Sequence, residues 1–364
     1  MPRRDLHQKP FDESTLGKLE LYGEYLREWL PVFINSPYID SLQIFDFFAG
    51  PGIDVCGNNG SPLITCDEIN NVLRLSKKKN VKIKVFFNEF DKVKFNKLSK
   101  HIEEQKQSLP NVDFITMNEE FSSSFKKWYP LLKGSTANLL FLDQSGVRQI
   151  SELIFKSIIL LPRTDFIFFI SSAIVNRFKN HDDIRNCVPI NNQDLSRMTG
   201  TNVHRILANA YRRWVPNGLE YYLGSFSIKK GANVYGLVFG SRHPRGIDKF
   251  LNVVWKRGGD ANFDIDKDGI DPTQPALFAE YDKPAKIKDF EKELESALFE
   301  HLLTTNKDVY LFALQNGMLA KHARNALNLL VKNKKLPKQN FHISYDAWKK
   351  PDAEAIKHFN GVGK

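Results

Sequence analysis

Cysteine is scarce and poorly placed for metal or disulfide chemistry: the 364 residues contain three, Cys56, Cys66 and Cys187. They form no CxxC pair and no Cys/His spacing of the zinc type, so neither a disulfide framework nor a structural metal is expected. The histidines are scattered as well. Only His181, followed by Asp182 and Asp183, stands beside two acids, and that segment reads as a solvated loop rather than a metal site. Long apolar runs are missing: none approaches the ~18 residues of a membrane span. The opening MPRRDLHQKP is charged with no apolar segment behind it, unlike a secretory signal. Internal repeats and low-complexity segments are absent too. These absences predict a cytoplasmic protein with no metal and no membrane partner.

What is present is ordinary for a globular chain, with 42% hydrophobic and 26% charged residues, and the length suits one large domain with a smaller appendage. The net charge of +10 suits a polyanion, because clustered Lys and Arg gain free energy by releasing counterions from phosphates. Nucleic acid is therefore a candidate partner through the basic surface. The runs at Lys77 to Lys79 and Lys332 to Lys335 also read as solvated helix ends, where cations complement the helix dipole.

The first periodic segment, STLGKLELYGEYLREWLP, repeats Leu16, Leu19, Gly23, Leu26 and Leu30 at helical spacing, with Ser14 as expected N-cap and Pro31 as stop. Apolar runs of strand length then alternate with helical stretches. The strands are 42 to 48, 83 to 88, 112 to 117, 138 to 143 and 165 to 170; the helices start near Pro62, Lys92, Phe121 and Val147. Four of the five runs look buried on both faces, which specifies a parallel sheet covered by helices, and right-handed crossovers make it doubly wound. Two further β-rich runs, 220 to 228 and 233 to 240, are candidates for an antiparallel edge. The Gly, Asp and Pro density of KRGGDANFDIDKDGIDPTQP marks a linker, and three helical stretches with a β-prone FHISY behind them form a winged-helix-like pattern. The expected organisation is an N-terminal amphipathic helix (1–36), an α/β Rossmann-like domain (37–257) with a helical insertion near 175–215, a linker (258–283) and a small helical, winged-helix-like domain (284–364).

The first strand ends in FDFFAGPG. Asp46 falls near its end, and Gly50 and Gly52 remove side chains that would keep the backbone from an adenosine or a phosphate. Pro62 suits the first turn of the next helix, with Ser61 as its cap. Ligands of open α/β sheets bind at this place, beyond the carboxyl ends of the strands where strand order reverses. In a dinucleotide fingerprint an acid follows the glycines by about 20 residues and a third glycine completes the turn. Here the next strand-end acid, Glu89, comes much later and no third glycine appears, which speaks against NAD. An acid before GPG, Glu89 placed for ribose hydroxyls and Asp143 ending another strand instead look like the S-adenosylmethionine motifs of class I methyltransferases. A turn without a ligand is the plain alternative.

The sequence resembles the three-Cys-motif partner proteins (TcmP), methyltransferase-like proteins of bacteria and archaea. The resemblance rests on KLELYGEYLREWLP, FDFFAGPG with the later GSPL, FFNEFD, FLDQSG, VNRF, HPRGIDKFLNVVWK, NFDID and a helical C-terminus, and so runs over nearly the whole chain. It implies a Rossmann-type methyltransferase fold and a partner, a radical-SAM-like protein whose three-cysteine motif is its own and not that of Cys56, Cys66 and Cys187. It also implies that Asp46, Ala49, Gly50 and Gly52 meet the methionine and adenosine parts of S-adenosylmethionine, Glu89 the ribose and Asn118 the adenine. Asp143 with Gln144 would align the methyl acceptor as the catalytic pair. Where DPFG or similar is expected, this chain reads Asp143, Gln144, Ser145, Gly146. Enzymes that methylate exocyclic amines of nucleic acid commonly follow an acid or Asn with prolines and an aromatic that stacks on the base. Here both are missing, and no platform for a flipped base is evident.

Two readings follow. The first is an S-adenosylmethionine-dependent methyltransferase acting on nucleic acid or on a partner-bound substrate; the second is a non-catalytic nucleotide-, DNA- or partner-binding subunit of a bacterial defence or repair system. Other features are weaker. The segment from Asp264 begins like an EF-hand loop but places Asp271 and Pro275 where an apolar residue and a bidentate Glu belong. RHPRG at Arg242 is a candidate phosphate contact. His322, Arg324 and Asn325, opposite the apolar stripe that starts at Leu319, are candidates for a DNA groove.

Overall fold

The computed structural model describes residues 10–76, 81–144, 149–171, 190–198, 203–230, 233–257 and 285–359. It divides into two compact units, Met1–Val253 and Val254–Lys364.

The first unit is built on one seven-stranded sheet of order β3-β2-β1-β4-β5-β7-β6. Its strands are β1 Ser41–Asp46, β2 Lys82–Asn88, β3 Val112–Met117, β4 Ala137–Leu142, β5 Thr164–Ser171, β6 Tyr222–Lys230 and β7 Asn233–Ser241. Strands β1 to β5 run parallel, while β7 is antiparallel to both β5 and β6. The last two strands thus do form the antiparallel edge, with the later one inserted inside the earlier. The helices are α1 Glu13–Ile34, α2 Ser61–Leu75, α3 Lys92–Ser108, α4 Phe121–Leu132, α5 Glu152–Ile159, α6 Asn192–Arg197, α7 Val203–Arg212 and α8 Pro244–Arg257.

The apolar strand runs follow from burial on both faces. On one face Phe45 stacks on Phe86 with ring centroids 4.3 Å apart, and Phe47 and Trp128 of α4 complete the cluster. On the other face Tyr22 of α1 lies 4.1 Å from Phe141, and Tyr25 meets Phe239 and Phe250 edge to face. Burying aromatic rings of this size adds to the stabilisation that sheet and helices share. α1 is tethered along its length. The Tyr22 hydroxyl shares a hydrogen bond with Thr65 Oγ1 (2.8 Å), and Tyr25 and Trp29 both donate to Asp165 Oδ2 (2.8 and 3.1 Å). Arg27 pairs with Glu68 at 2.5 Å, and Glu28 pairs with Lys249.

Several helix ends differ from expectation. Asp12, not Ser14, caps α1 by accepting from the Thr15 N–H, and Pro31 sits inside its last turns instead of stopping it. Pro31 forfeits one hydrogen bond to the preceding turn and its ring crowds that turn's carbonyl, and the helix continues for only three residues beyond it. α2 starts at Ser61 with Gly60 as N-cap, so Ser61 is not the cap. α5 begins at Glu152, after the N-cap Ser151, later than the expected start near Val147, and residues 149–151 ahead of it are not helical. Residues 145–148 lie outside the described residues, as do much of the predicted insertion near 175–215, the linker, VNRF, NFDID, the Asp264 segment and the HDD triplet. Among the described residues no helix is long and apolar enough to cross a membrane.

The Val254–Lys364 unit has a core of its own, with Leu294, Leu298, Val309, Tyr310, Leu314 and Leu327 all fully buried. Its helices are α9 Ala285–Phe299, α10 Asn306–Gln315, α11 Ala320–Lys332 and the short α12 Tyr345–Lys349. Three helices were expected and are found, but the wing is not: FHISY forms no strand, and the described β-pairing of this unit is a single bridge between Thr305 and Ala355. The segment is held by side chains instead. Asn306 donates to the His342 carbonyl at 3.1 Å and Arg324 to that of Ile343 at 2.8 Å. His322, expected on the open face of α11, lies 4.3 Å from the Trp255 ring, and burial followed by the charges of Lys321 and Lys286 pushes its imidazole down to about 4.

Candidate functional site

The strand order reverses between β1 and β4, which pair with each other in parallel and send their crossovers in opposite directions. A crevice at the carboxyl ends of these strands is where an open α/β sheet receives its ligand. The candidates fall there: Asp46 is the last residue of β1, Glu89 follows β2, Asn118 follows β3, and Asp143 with Gln144 follows β4.

Asp46 is fully buried. Its Oδ1 accepts from the Phe48 N–H at 3.0 Å and its Oδ2 from the Ser61 hydroxyl at 2.6 Å. Burial raises its carboxyl most; the Ser61 and Phe48 hydrogen bonds lower it, Asp143 and Glu89 raise it further, and the balance lies at about 7. The turn after it needs glycine. Gly50 and Gly52 have φ of 67° and 95°, the left-handed region that other residues adopt only with strain. A Cβ on Gly52 would also stand 2.9 Å from Nδ1 of His101, which itself hydrogen-bonds the Pro51 carbonyl at 2.9 Å. The Gly60 N–H donates to the Gly52 carbonyl at 2.7 Å, so the 53–59 excursion closes on itself just before α2 begins. Asp54 organises that excursion by accepting from the backbone of Phe11, Cys56 and Asn58 and from the Asn58 side chain. Desolvation raises its carboxyl, but these four donors prevail and hold it at about 2.

Glu89 bridges two strand ends. Its Oε2 accepts from the Gly50 N–H at 2.9 Å and its Oε1 from the Asp91 N–H at 2.7 Å. Burial raises its carboxyl, with the Asp91 and Gly50 amides and Lys94 acting against it. Each oxygen has a further lone pair for a ligand hydroxyl. Ala49 donates its N–H to the Asn88 carbonyl at 3.0 Å, which fixes the start of the turn against β2. The amide of Asn118 donates to the carbonyls of Glu89 (2.6 Å) and Phe90 (2.8 Å), so both its donor hydrogens support the turn that carries Glu89.

Beyond β4 the structure adds a residue that the sequence reading passed over. Lys18 of α1 reaches Asp143 with its Nζ 2.7 Å from Oδ1 and 2.6 Å from Oδ2, and lies 5.1 Å from the centre of the Phe169 ring. The two side chains are only 13% and 22% exposed. Gln144 is buried and its Oε1 accepts from the Gln149 N–H at 3.1 Å, which fixes the orientation of the amide. Its Nε2 has no hydrogen-bond partner among the described residues. A buried donor without a partner is costly, of the order of 1–3 kcal/mol. It matches a ligand atom that offers a lone pair. Besides Lys18, the sequence reading missed His101, Asn88 and the role of Ser61. Each is an ordinary polar residue on a helix or at a strand end, and no spacing rule marks it. Asn88 holds the adjoining loops by donating to the carbonyls of Phe47 (3.2 Å) and Glu119 (3.0 Å).

Among the described residues no group of three or more His, Cys, Asp or Glu is arranged to hold a metal ion. No known family model matches the sequence, and no curated protein does. Solved structures with some likeness include a SAM-dependent methyltransferase of Agrobacterium tumefaciens, 9% identical over 62% of each chain with a TM-score of 0.33. The METTL16 MTase domain is 11% identical, covering 66% of this chain and 92% of that one, with a TM-score of 0.32. Spermidine synthase of Thermotoga maritima is 12% identical, covering 67% and 65%, with a TM-score of 0.32. The chain thus matches less than two thirds of the length of the first and the third. Likeness at this level decides nothing about activity. The strand order, the antiparallel β7 and the glycine turn after β1 give the Met1–Val253 unit a Rossmann-like methyltransferase fold.

Proposed function

We propose that this chain is an S-adenosylmethionine-dependent methyltransferase. The observation that carries the reading is the convergence of three carboxylates, Asp46, Glu89 and Asp143, beside the left-handed glycines Gly50 and Gly52 at the reversal of strand order. Asp143 and Glu89 both push the Asp46 carboxyl up, so each repels a negative charge on Asp46. A cationic ligand relieves that repulsion, which is the fit expected of a sulfonium and not of a nucleoside phosphate.

The roles divide accordingly. Glu89 offers its remaining lone pairs to ribose hydroxyls, Ala49, Gly50 and Gly52 let the backbone approach, Asp46 presents a buried carboxyl whose ionised form a nearby cation favours, and Asn118 keeps the Glu89 turn in place. When bound, the cofactor supplies an electrophilic methyl on a positively charged sulfur. Transfer of that methyl needs alignment of the acceptor more than a strong base, and positioning alone can remove several kcal/mol of barrier. Gln144 Nε2 is the donor left for the acceptor, with Asp143 beside it. The acceptor class in this reading is nucleic acid or a substrate held by a partner. The family resemblance implies that partner, a radical-SAM-like three-Cys-motif protein, and the setting in this reading is the cytoplasm.

One observation favours the second reading, a non-catalytic binding subunit: Lys18 engages both oxygens of Asp143, the group expected to orient an acceptor. The two readings part on Asp143→Ala. In an enzyme this change abolishes methyl transfer while the cofactor still binds, with altered affinity; in a binding subunit it leaves biological activity in place. The direct test of the pocket is a calorimetric titration of S-adenosylmethionine, NAD and ATP into the wild type and Glu89→Ala. Binding of S-adenosylmethionine alone, weakened about tenfold or more by loss of the charged hydrogen bonds at Glu89, is the expected result. Absence of binding by all three ligands would make the glycine turn purely structural.

A further inference from the structure

The ion pair between α1 and the end of β4 carries an inference that rests on the cofactor reading above. We propose that Lys18 is a positioning residue that neutralises Asp143 and so sets how strongly the pocket prefers a cationic sulfonium to the neutral thioether left after methyl transfer.

Three observations support this. Lys18 contacts both oxygens of Asp143, and the pair is mostly withdrawn from water, where a charge acts at longer range than it does at an exposed surface. The pair is also redundant as a fastening for α1, which is held independently through Tyr22 to Thr65, Tyr25 and Trp29 to Asp165, Arg27 to Glu68 and Glu28 to Lys249. Finally, the cation stands at otherwise acidic strand ends, which Asp46 and Glu89 share with Asp143. Left alone, three acids would hold a sulfonium tightly and release a thioether readily. With Asp143 neutralised, the pocket discriminates less between the two, and Lys18 holds the carboxylate in a fixed place while doing so.

The test is a pair of opposite charge changes read by binding. Calorimetric dissociation constants for S-adenosylmethionine and S-adenosylhomocysteine are measured on the wild type, Lys18→Met, Lys18→Arg and Asp143→Asn, with Lys249→Met as a control that removes an equal charge near the other end of α1, where Lys249 pairs with Glu28. Lys18→Met is expected to shift the ratio of the two constants roughly three- to tenfold toward the sulfonium, and Asp143→Asn, which leaves the Lys18 cation uncompensated, to shift it the other way. Lys18→Arg and Lys249→Met are expected to stay near the wild type, and the shifts to change little with salt because the pair is withdrawn from water. Thermal unfolding of each variant identifies any that fails to fold, and either of the two opposite changes suffices to decide. An unchanged ratio in a folded variant, or shifts of the same sign, overturns the proposal while leaving the cofactor reading intact. A wild type that binds neither ligand overturns both.

Discussion

Asp46 is the residue whose chemistry is most constrained by its surroundings. Its carboxyl lies at about 7 in the folded protein against 3.8 for an unperturbed Asp, and burial is the largest cause. A folded value above the unfolded one means that the native state binds the proton more tightly. The stability contributed by this group is therefore complete below the unfolded value and declines as pH rises from about 4 through 7. Asp46→Asn keeps acceptor and donor positions for the Phe48 N–H and the Ser61 hydroxyl but cannot ionise. Above pH 7 the variant should be more stable than the wild type, by on the order of a few kcal/mol, and the gap should close toward pH 4. Urea unfolding at pH 4.5, 6 and 8 would show it; parallel stability profiles for the two proteins would mean that Asp46 is ionised throughout. The position of Asp46 was readable from the sequence, because an acid closing an apolar run just before GPG has few other uses. Lys18 was not readable. In KLELYGEYLREWLP it is one polar residue on an amphipathic helix, and its partner is 125 positions away.

At the level of elements, the glycine turn joins conformation to packing. Gly52 is constrained twice, by a φ of 95° and by the His101 ring that a Cβ would meet at 2.9 Å. Gly52→Ala should cost roughly 1–2 kcal/mol from the left-handed backbone alone and more from the contact. It should also weaken S-adenosylmethionine binding, since the turn presents Gly50 to Glu89. Adding His101→Ala removes the contact but not the backbone strain, so the double variant should recover only part of the stability and little of the binding. Full recovery would show that the backbone conformation is not what the glycine serves. Elements of this kind were legible to different degrees. β1, β2, β4 and β5 announced themselves because both faces are buried, so apolar residues occupy successive positions without alternation. Their boundaries followed within a residue or two. Helix starts did not, because Asp12 and Ser14, or Gly60 and Ser61, are equally acceptable caps until the chain path decides which side chain meets an open N–H. FHISY has strand composition, yet its His342 and Ile343 carbonyls accept from Asn306 and Arg324, and composition cannot see side chains from elsewhere in the chain.

On the scale of the whole molecule, each compact unit has its own buried core, and the boundary falls at Val253, within α8. Composition drew attention instead to the Gly-, Asp- and Pro-rich stretch after α8. What composition could not show is that Trp255, already within the second unit, donates to the Gly317 carbonyl at 2.8 Å and packs against His322 of the same unit. All the residues assigned to the strand-end site belong to Met1–Val253, so a lesion confined to the second core separates what each unit does. Leu327 is fully buried on α11, and Leu327→Ala should destabilise by about 2–5 kcal/mol through lost burial and the cavity left behind. In calorimetric unfolding the variant should show an earlier transition, while S-adenosylmethionine binds with unchanged affinity and still raises the remaining transition. Such a variant also decides between the two functional readings. If it retains cofactor and methyl transfer but loses activity in the cell, the second unit recruits a partner or an acceptor for an enzyme held in the first. If cofactor binding falls with the second core, the strand-end carboxylates are not sufficient to form the pocket, and the site must be sought in the whole chain.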